Sequence, residues 1–455
     1  MATSSALRER AQAIFMAGIE AADPRRAVEH ALLVRDERLE IRLEPGISAS
    51  TLRSEPWQRI HLVAFGKAAC AMAQAAQTRI PQALLAGEGI VVTNYENVTE
   101  VPGCRVLGAS HPLPDAAGLR GAKAIAERVS QAEEGDLVLV LVSGGGSALV
   151  PYPPDSISLE DKIAATQVLL ACGADINQVN CVRKHLSRLK GGGLARLAAP
   201  AALHALILSD VLGDDLSAIA SGPTVPDPTT YADAVQVFKS RGVWDHVPAS
   251  VRAHLDRGCA GEVPETPKPN DPLFARVGNT LIGSNRLSVE AIRKAAAQDG
   301  HAVQVYSTAL SGEAREEAEK LAKAAADKMH GQRPLALVAG GETTVTLRGS
   351  GRGGRNQEMA LAFALAAERL NLPPRWVFLS GGTDGRDGPT DAAGGLVDPW
   401  TLERMRAAGG DPKALLDNND SYRALALAGD LLRIGATGTN VADLQVLLID
   451  CPEFI

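Results

Sequence analysis

Four short apolar segments of this chain run directly into glycine-rich turns. They are AFGKAA (64–69), LVSGGGSA (141–148), LVAGGETT (337–344) and FLSGGTDG (378–385). Apolar runs of this length, separated by stretches of helical periodicity, are typical of strands buried on both faces of a parallel sheet. The pattern therefore predicts an α/β fold. It also places glycine turns beyond the carboxyl ends of strands, where open α/β sheets bind their ligands.

The alternation of strands and helices is interrupted once, at GEVPETPKPNDP (261–272). This segment contains four prolines and little that is apolar, so we interpret it as a linker. It separates two predicted domains, residues 1–262 and residues 273–455. The periodicity further predicts a helix over 7–35, a helix over 177–199 and a half-exposed strand or hairpin arm over 343–349.

Composition and charge exclude several classes of protein. A net charge of −7, with 45% hydrophobic and 22% charged residues, indicates a globular chain and argues against a general nucleic-acid binder. Arg8, Glu9 and Arg10 lie where a secretory signal needs an apolar run, and no stretch has the length of a membrane span. The six cysteines form no Cys-x-x-Cys pair, which argues against a zinc site or a disulfide framework and favours the cytoplasm. We therefore expect neither a nucleic-acid nor a membrane partner.

The first glycine turn contains Gly66 and Lys67 at the start of an alanine-rich helix. The dipole and free N–H groups of a helix start attract phosphate. The turn is not a Walker loop, because His61 and Ala68 replace the required glycine and hydroxyl. Taken alone, Lys67 could equally be a lysine that snorkels from a helix end. Four such turns together favour an anion-binding cleft, and the second turn adds as candidate ligands Ser143, Gly144, Gly145, Gly146 and Ser147.

In the second half, GSGRGGRNQE (349–358) places Arg352 and Arg355 among glycines at a helix start. The formal Gly-x-Gly-x-x-Gly is a weak dinucleotide signal, because the next strand ends in Ser380 and Gly381 rather than in an acidic residue. Arginines in such a turn suit the oxygens of a phosphoryl group. An exposed basic turn is the alternative, more so for Arg352 than for Arg355. The candidate phosphate ligands of this turn are Gly353, Gly354 and Asn356.

The loop SGGTDGRDGPTDAAG (380–394) spaces Asp384, Asp387 and Asp391 three and four residues apart. Mg²⁺ is held by one or two carboxylates together with phosphate oxygens, so Asp384 and Asp387 are candidate metal ligands. A series of Asx turns is the alternative. The candidate phosphate ligands of the same loop are Gly381, Gly382 and Thr383.

Other candidates precede the linker. Asp210 ends an apolar strand, which is a position suited to chemistry, whereas Asp214 and Asp215 could cap the following helix. Arg183 and Lys190 belong to a basic segment that could bind a carboxylate or a phosphate, or could form a solvated face. His111 follows another strand and could be a site residue, although a lone histidine is more often structural.

Seven segments together resemble the signature blocks of the class II glycerate 2-kinases. In chain order they are HPLPD, SGGGSAL, VRKHLSRLKGGGLA, SDVLGDDLSAIASGPTVPDPTT, GGETTVTLRGSGRGGRNQEMALA, LSGGTDGRDGPTDAAGG and TGTNVADL. The resemblance spans nearly the whole chain. It departs at Ala436, where many members have proline, which bears only on the stiffness of that loop.

The resemblance implies ATP-dependent phosphorylation of D-glycerate to 2-phosphoglycerate with Mg²⁺. It implies an amino-terminal Rossmann-like domain, a three-layer parallel sheet, and a smaller carboxy-terminal α/β domain of MOFRL type, with the active-site cleft between them. The catalytic lysine and arginine of the family match Lys67 and Arg355. Arg183 or Lys190 would hold the glycerate carboxylate, and Asp210 would accept the hydroxyl proton. We expect a monomer or a homodimer.

Two other functions are weighed against this one. Members of the family are often labelled hydroxypyruvate reductases, an NAD(P)H-dependent activity. The residues speak against it, because no ribose-binding acid follows a glycine turn and no Arg/His pair is placed for hydride chemistry. A non-enzymatic sensor of a phosphorylated metabolite ranks third, because no DNA-binding helix or partner tail is present to give it an output.

Overall fold

The computed structural model describes residues 2–44, 51–328 and 333–450, without the side chains of residues 2–4. The chain divides into two compact units. The amino-terminal unit is Pro24–Ile282, and the described residues of the carboxy-terminal unit fall within Met1–Asp23 and Gly283–Ile455. This division differs from the predicted domains 1–262 and 273–455, because the first helix groups with the carboxy-terminal unit and residues 273–282 group with the amino-terminal one.

The helices of the described residues are α1 Ala2–Ala21, α2 Pro24–Ala31, α3 Ala69–Arg79, α4 Ala116–Val129, α5 Gly146–Leu149, α6 Leu159–Ala171, α7 Ile176–His185, α8 Gly193–Ala198, α9 Tyr231–Ser240, α10 Ala249–Cys259, α11 Asn285–Gln298, α12 Ala314–Ala326, α13 Arg355–Arg369, α14 Thr401–Ala407, α15 Pro412–Asp417 and α16 Ser421–Ala428. The strands are β1 Leu32–Arg35, β2 Arg38–Arg42, β3 Leu52–Arg53, β4 Ile60–Phe65, β5 Gly89–Asn94, β6 Cys104–Ala109, β7 Leu137–Val142, β8 Ala202–Leu208, β9 Val277–Gly283, β10 Ala302–Leu310, β11 Leu335–Gly341, β12 Trp376–Gly382, β13 Gly394–Val397, β14 Leu431–Leu432 and β15 Asp443–Ile449. Short 3₁₀ turns lie at Gln82–Leu84, Tyr95–Asn97, Ile219–Ser221, Trp244–His246 and Pro272–Arg276.

The amino-terminal unit is built on a six-stranded sheet of order β6-β5-β4-β7-β8-β9. The pairs β4–β5, β5–β6, β4–β7 and β7–β8 are parallel. All six residues of β7 are buried, so helices cover both faces of the sheet. The Rossmann-like α/β prediction is confirmed. The chain builds one half of the sheet outward from β4 and then returns to β7 for the other half, so the topological switch point lies between these two strands.

The carboxy-terminal sheet has the order β10-β11-β15-β12-β13-β14 and is mixed. Only β10 and β11 pair in parallel, whereas β15 runs antiparallel between β11 and β12. The parallel pairing that strand–helix alternation predicts for this half is therefore wrong beyond β11. The reversal brings Asp443, the first residue of β15, opposite both Gly341 and Gly382.

Helix α1 is part of the carboxy-terminal unit because its apolar stripe covers one face of this sheet. Ile14 and Phe15 belong to one buried cluster with Val338 and Val446, while α12 and α13 cover the opposite face. A partly buried ionic network holds the helix in place. Arg8 donates to the buried carboxylates of Asp398 at 2.7 Å and Asp430 at 2.9 Å, and Arg404 donates to the same two carboxylates.

Three local predictions are wrong. The helical stretch 7–35 is two helices that end at Ala31, followed by a small antiparallel sheet of β1, β2 and β3. The stretch 177–199 is broken over 186–192, because Ser187 accepts the N–H groups of Leu189 and Lys190 and two glycines then adopt positive φ. Segment 343–349 forms no strand, since Asn419 accepts its N–H groups at 348 and 349.

Candidate active site

The loops after β4 and β7 meet at the switch point of the parallel sheet. The amide of Lys67 donates to the carbonyl of Gly144 at 2.9 Å, and the amide of Ala68 donates to Ser143 Oγ at 3.0 Å. Because ligands of open α/β sheets bind beyond the carboxyl ends of strands at this point, the two turns define the candidate site of the amino-terminal unit.

Two glycines of these turns are required by geometry. Gly66 has a φ of +125°, and a β-carbon on it would lie 2.2 Å from Ser143 Oγ. Gly145 has a φ of +83°, and a β-carbon there would lie 3.1 Å from His111 Cδ2 and 3.3 Å from Lys67 Cγ. Both positions combine a left-handed backbone with close approach, which only glycine accommodates without strain.

Lys67 is fixed through its backbone rather than through its side chain. Its carbonyl accepts hydrogen bonds from Thr93 Oγ1 at 3.3 Å and from Asn97 Nδ2 at 3.0 Å. Its half-buried side chain has no hydrogen-bond or ion-pair partner among the described residues. The ammonium group is therefore carried on a backbone that is tied to the segments at the ends of β5 and β7, and it is available to a ligand.

Asp210 follows β8 and approaches the same turn. A β-carbon on Gly144 would lie 2.2 Å from Asp210 Oδ2, so this carboxylate sits directly against the loop that Lys67 contacts. Asp215 instead binds locally, accepting the amide of Ser217 at 2.8 Å and its hydroxyl at 3.1 Å. Asp215 therefore forms a local Asx turn and not the helix cap considered as the alternative, because the following 3₁₀ turn Ile219–Ser221 has no side-chain cap. Asp210 lies against the turn of the candidate site.

Lys190 is buried, and its ammonium group is already hydrogen-bonded within the protein. Its Nζ donates to Ser147 Oγ at 2.8 Å, to the Ser147 carbonyl at 3.0 Å and to the Ala220 carbonyl at 3.4 Å. Burial lowers its pKa well below the usual value, and the charges of Lys162 and Arg183 lower it further. Because all three N–H donors are used, Lys190 joins the Gly146–Ser147 turn to the 3₁₀ turn at 219–221 and has none left for a ligand.

Arg183 differs from Lys190 in being half-buried without a partner among the described residues. Burial lowers its pKa. Lys162 is fully buried nearby, where its Nζ donates to the Leu186 carbonyl at 2.6 Å. Burial, together with the charge of Arg183, brings the pKa of Lys162 to about 7. Among the described residues, Lys162 and Lys190 contact neutral oxygens and Arg183 contacts no carboxylate, so none of the three has a paired negative charge and the region favours an anion.

The carboxy-terminal unit gathers its own charged cluster around Arg355, the first residue of α13. The guanidinium binds Asp443 through two parallel hydrogen bonds, Nε–Oδ2 at 2.6 Å and Nη2–Oδ1 at 3.0 Å, and Nη1 contacts Glu342 Oε1 at 2.7 Å. Burial raises the pKa of Asp443 while Arg355 opposes the shift, and the carboxylates raise the pKa of Arg355. Arg355 is thus held rigidly with one edge at the surface of its unit.

Asp387 is an acceptor for the start of α13. Its two oxygens accept the amides of Asn356 at 3.1 Å and Gln357 at 2.8 Å. Gly354 lies so close that a β-carbon on it would be 2.4 Å from the Asp387 carboxylate. Burial raises the pKa of Asp387 to about 6 against these hydrogen bonds. The residue therefore has a structural role that its predicted role as a metal ligand did not include.

The remaining predicted ligands of this unit hold the loops together. Asn356 accepts the hydroxyl of Ser380 at 2.7 Å, and Thr383 donates to the Ala442 carbonyl at 2.6 Å. The glycines pack closely: Gly353 against Ser421, Gly381 against Phe15, and Gly382 against the Arg386 carbonyl and Asp384. Of the three spaced aspartates, Asp391 accepts from Tyr422 and Arg433 and is a surface residue.

Asp384 fits Mg²⁺ better than Asp387 does. Its half-exposed carboxylate uses Oδ1 to accept the Arg386 amide at 2.9 Å, which is the foreseen Asx turn and leaves Oδ2 for another ligand. Within the described residues, no group of three acidic, histidine or cysteine side chains could hold a metal ion.

Sequence reasoning missed Asp443, Glu342 and Lys162. Each of the three has a feature in the sequence that could have pointed to it. Asp443 is a charge at the head of the apolar run DLQVLLI, Glu342 directly follows a strand-ending glycine, and Lys162 lies three residues after buried Leu159 on the apolar face of α6. The first two could be placed together only once the antiparallel course of β15 was known.

A parallel sheet with glycine turns and an unpaired lysine at its switch point defines an α/β protein with a candidate site for a small-molecule ligand. Comparison with known proteins agrees. Residues 10–256 match the family described as a domain of unknown function (DUF4147), and residues 335–443 match the MOFRL family. The chain belongs to the family of glycerate kinases that combine these two domains, as the sequence motifs led us to expect.

Three relatives illustrate the match. A glycerate 2-kinase of Pyrococcus horikoshii is 41% identical over 95% of this chain and 94% of its own. The crystal structure of a Thermotoga maritima glycerate kinase superposes with a TM-score of 0.85 at 39% identity, covering 98% of this chain and all of that one. A protein of Agrobacterium vitis, provisionally named a hydroxypyruvate reductase, is 41% identical over 97% of this chain and 94% of its own. Among the described residues, no helix is long and apolar enough to cross a bilayer.

Proposed function

We propose that this protein transfers the γ-phosphoryl group of ATP to the 2-hydroxyl of D-glycerate, forming 2-phosphoglycerate, with Mg²⁺ as cofactor. The observation that carries the proposal is the unpaired Lys67 ammonium at the switch point, in a chain whose relatives are named glycerate kinases. Phosphoryl transfer needs positioning and charge neutralisation more than covalent chemistry, and a fixed cation among glycine turns supplies both.

Lys67 is proposed to neutralise charge on the transferring phosphoryl group. The turns at Gly66 and at Ser143–Ser147 let backbone come close to phosphate oxygens without side chains intervening. The four hydrogen bonds that hold the Lys67 and Ala68 backbone keep the cation in place before the substrate binds, so little reorganisation is needed in the transition state.

Arg183 is proposed to bind the glycerate carboxylate. It is favoured over Lys190 because its guanidinium lacks a partner, whereas the Lys190 donors are all in use. A planar guanidinium can bind a carboxylate with two parallel hydrogen bonds. Lys190 acts by holding the Ser147 turn in place.

Asp210 is proposed as the general base that accepts the proton of the glycerate 2-hydroxyl. Its contact with Gly144 puts the carboxylate against the turn that Lys67 touches. General-base assistance of this kind is worth roughly 10²–10⁴-fold in rate.

In the carboxy-terminal unit, Arg355 is proposed to add positive charge toward the phosphates, with Asp443 and Glu342 fixing its orientation. Asp384 would hold Mg²⁺, which when bound to ATP neutralises developing charge on the phosphates. Asp387 supports this arrangement by holding the start of α13, which carries Arg355.

The proposed setting is the cytoplasm, in keeping with the free thiols of the five cysteines in the described residues. The partner is a small molecule, with neither nucleic acid nor membrane involved, and the protein is expected to act as a monomer or a homodimer.

Reduction of hydroxypyruvate with NAD(P)H is the second candidate, because of the name of the Agrobacterium vitis relative and the Rossmann-like strand order. Such folds hold the ribose with an acid at the end of the second strand. Here β5 ends in Asn94, whose side chain instead donates to Glu96 at 2.6 Å.

The two functions separate in one assay of the purified protein. With D-glycerate, ATP and Mg²⁺, we expect ADP formation that depends on glycerate. With hydroxypyruvate and NADH or NADPH, we expect no oxidation above background. Cofactor oxidation without glycerate-dependent ADP formation would reverse the assignment.

A further inference from the structure

His111 lies against the Lys67 turn, although neither the fold nor the proposed chemistry so far requires it. It comes two residues after β6, in the segment HPLPD. Its Nε2 and Cδ2 would be 3.2 and 3.1 Å from a β-carbon on Gly145, the same position that lies 3.3 Å from Lys67 Cγ. The imidazole ring and the lysine stem therefore flank one glycine, on loops that follow different strands.

The ring is half-buried and has no hydrogen-bond partner among the described residues. The buried histidines of this unit contrast with it: His204 pairs with Thr280 at 3.0 Å, and His254 pairs with Ser156 at 3.2 Å. A half-buried imidazole whose nitrogens make no hydrogen bond to the described residues has a donor available for a ligand.

The surroundings of His111 disfavour its protonated form. Burial lowers its pKa most, the charge of Lys67 lowers it further, and Glu96 opposes both. A neutral imidazole carries one N–H donor, and phosphate oxygens can only accept. It can therefore add a hydrogen bond beside Lys67 without placing a second positive charge next to the ammonium group.

We propose that His111 is a catalytic residue of this site, whose imidazole N–H donates a hydrogen bond to an oxygen of the phosphoryl group held beside Lys67. The inference rests on the proposed kinase function and assigns that function an additional donor. The competing explanation is that His111 only fills space next to Gly145.

The two explanations differ in which replacement preserves activity. His111→Gln keeps an N–H donor, while His111→Leu keeps apolar bulk without a donor. The measurements are kcat and KM for D-glycerate at saturating ATP and Mg²⁺, together with melting temperatures of each variant. His246, exposed in the 3₁₀ turn Trp244–His246, provides the matched control His246→Leu.

For a donor, His111→Leu should lower kcat by roughly 10²-fold, the scale for loss of one preorganised donor, while His111→Gln stays within about 10-fold of the unmodified protein. His246→Leu should be unchanged. Equal activity of the Leu and Gln variants, or better activity of the Leu variant, would overturn the proposal and assign His111 a packing role.

A second readout separates this inference from the kinase function. The rise in melting temperature on adding ATP with Mg²⁺ is measured for the same proteins. If the unmodified protein does not turn over D-glycerate, the proposed function has failed, and this readout alone decides the role of His111. A smaller rise for His111→Leu than for His111→Gln would then support phosphate contact, and equal rises would exclude it.

Discussion

The amide of Lys67 donates a hydrogen bond to the carbonyl of Gly144 at 2.9 Å, and this contact joins the two turns at the switch point of the parallel sheet. It fixes the lysine backbone while the ammonium group stays without a protein partner. Because Lys67 is held by its main chain, a substitution can remove its charge and keep the hydrogen bonds that hold the two turns together. The strongest mutational test of the site therefore starts here.

Lys67→Ala should abolish most activity and leave stability nearly unchanged. Loss of one preorganised charge should lower the phosphorylation rate by at least ~10²-fold. The melting temperature should barely move, because substitutions away from packed features usually change stability by less than about 0.5 kcal/mol. Steady-state kinetics and thermal unfolding measure the two effects.

Lys123→Ala, at an exposed position on α4, is the control for Lys67→Ala and should change neither quantity. Lys67→Arg should restore little activity, because a planar guanidinium does not replace a compact ammonium group. Near-normal turnover of Lys67→Ala would leave the lysine as a helix-end side chain without a catalytic role.

Arg355→Ala should reduce both activity and stability. It leaves buried Asp443 without its paired cation, which we expect to cost about 1–3 kcal/mol, less than for a fully buried pair because Arg355 is partly exposed. The double variant Arg355→Ala/Asp443→Asn removes the unpaired charge. It should recover stability in urea unfolding but not turnover. Recovery of turnover in the double variant would show that Arg355 acts only through folding.

Asp384→Asn should raise the Mg²⁺ concentration needed for half-maximal rate, with the melting temperature unchanged. The asparagine oxygen can still accept the Arg386 amide, so the turn survives while a metal-binding charge is lost. The measurement is the rate as a function of Mg²⁺ at fixed ATP. An unaltered Mg²⁺ dependence would make Asp384 a turn former only.

Asp387→Ala should act differently from Asp384→Asn, because it removes the acceptors of two α13 amides. The expected loss is about 0.5–2 kcal/mol of stability, the range for helix capping residues. Thermal or urea unfolding measures it. A variant as stable as the unmodified protein would show that the capping contacts are dispensable.

The stability of the protein should depend on pH through Lys162. Its pKa of about 7 in the folded chain lies below the value of about 10.4 expected when unfolded. Between these values the unfolded chain binds a proton that the folded chain does not, so this residue makes the free energy of unfolding rise with pH. Below pH 7 Lys162 is protonated in both states, and the full cost of burying its charge then lowers the free energy of unfolding.

Lys162→Met isolates that contribution, since other titrating groups, Lys190 among them, remain in both proteins. From pH 7 to 9.5 the unmodified protein should gain stability relative to the variant by a few kcal/mol, measured by urea unfolding. Parallel pH profiles for the two proteins would contradict the lowered pKa.

The sequence predicts the amino-terminal sheet and the position of its glycine turns well because each signal there is local. A strand such as LVLVLV is followed at once by its glycine turn, and parallel pairing brings the turns after β4 and β7 to one edge. The same rule placed Lys67 and Asp210 beyond the ends of β4 and β8, where the structure has them, and their roles stay predictions. For His111 the sequence left a site role and a structural role open, since its approach to Gly145 depends on the tertiary path of a loop.

The carboxy-terminal cluster was harder to predict because its partners are set by strand direction. Asp443 reaches Arg355 only because β15 enters the sheet in reverse, and hydrophobic periodicity carries no information on direction. Lys190 was predicted as a ligand from its charge, but its burial against Ser147 depends on the break in the helix at Ser187, where turn chemistry overrides helical periodicity.

The position of the phosphate on the product tests the central claim most directly. The purified protein is incubated with D-glycerate, ATP and Mg²⁺, and the product is examined by ³¹P and ¹H NMR. We predict a phosphate ester whose phosphorus couples to the single proton on carbon 2, formed together with ADP and absent with Lys67→Ala. A phosphorus coupled to the two protons on carbon 3, or no phosphate ester while NADH or NADPH is oxidised with hydroxypyruvate, would contradict it.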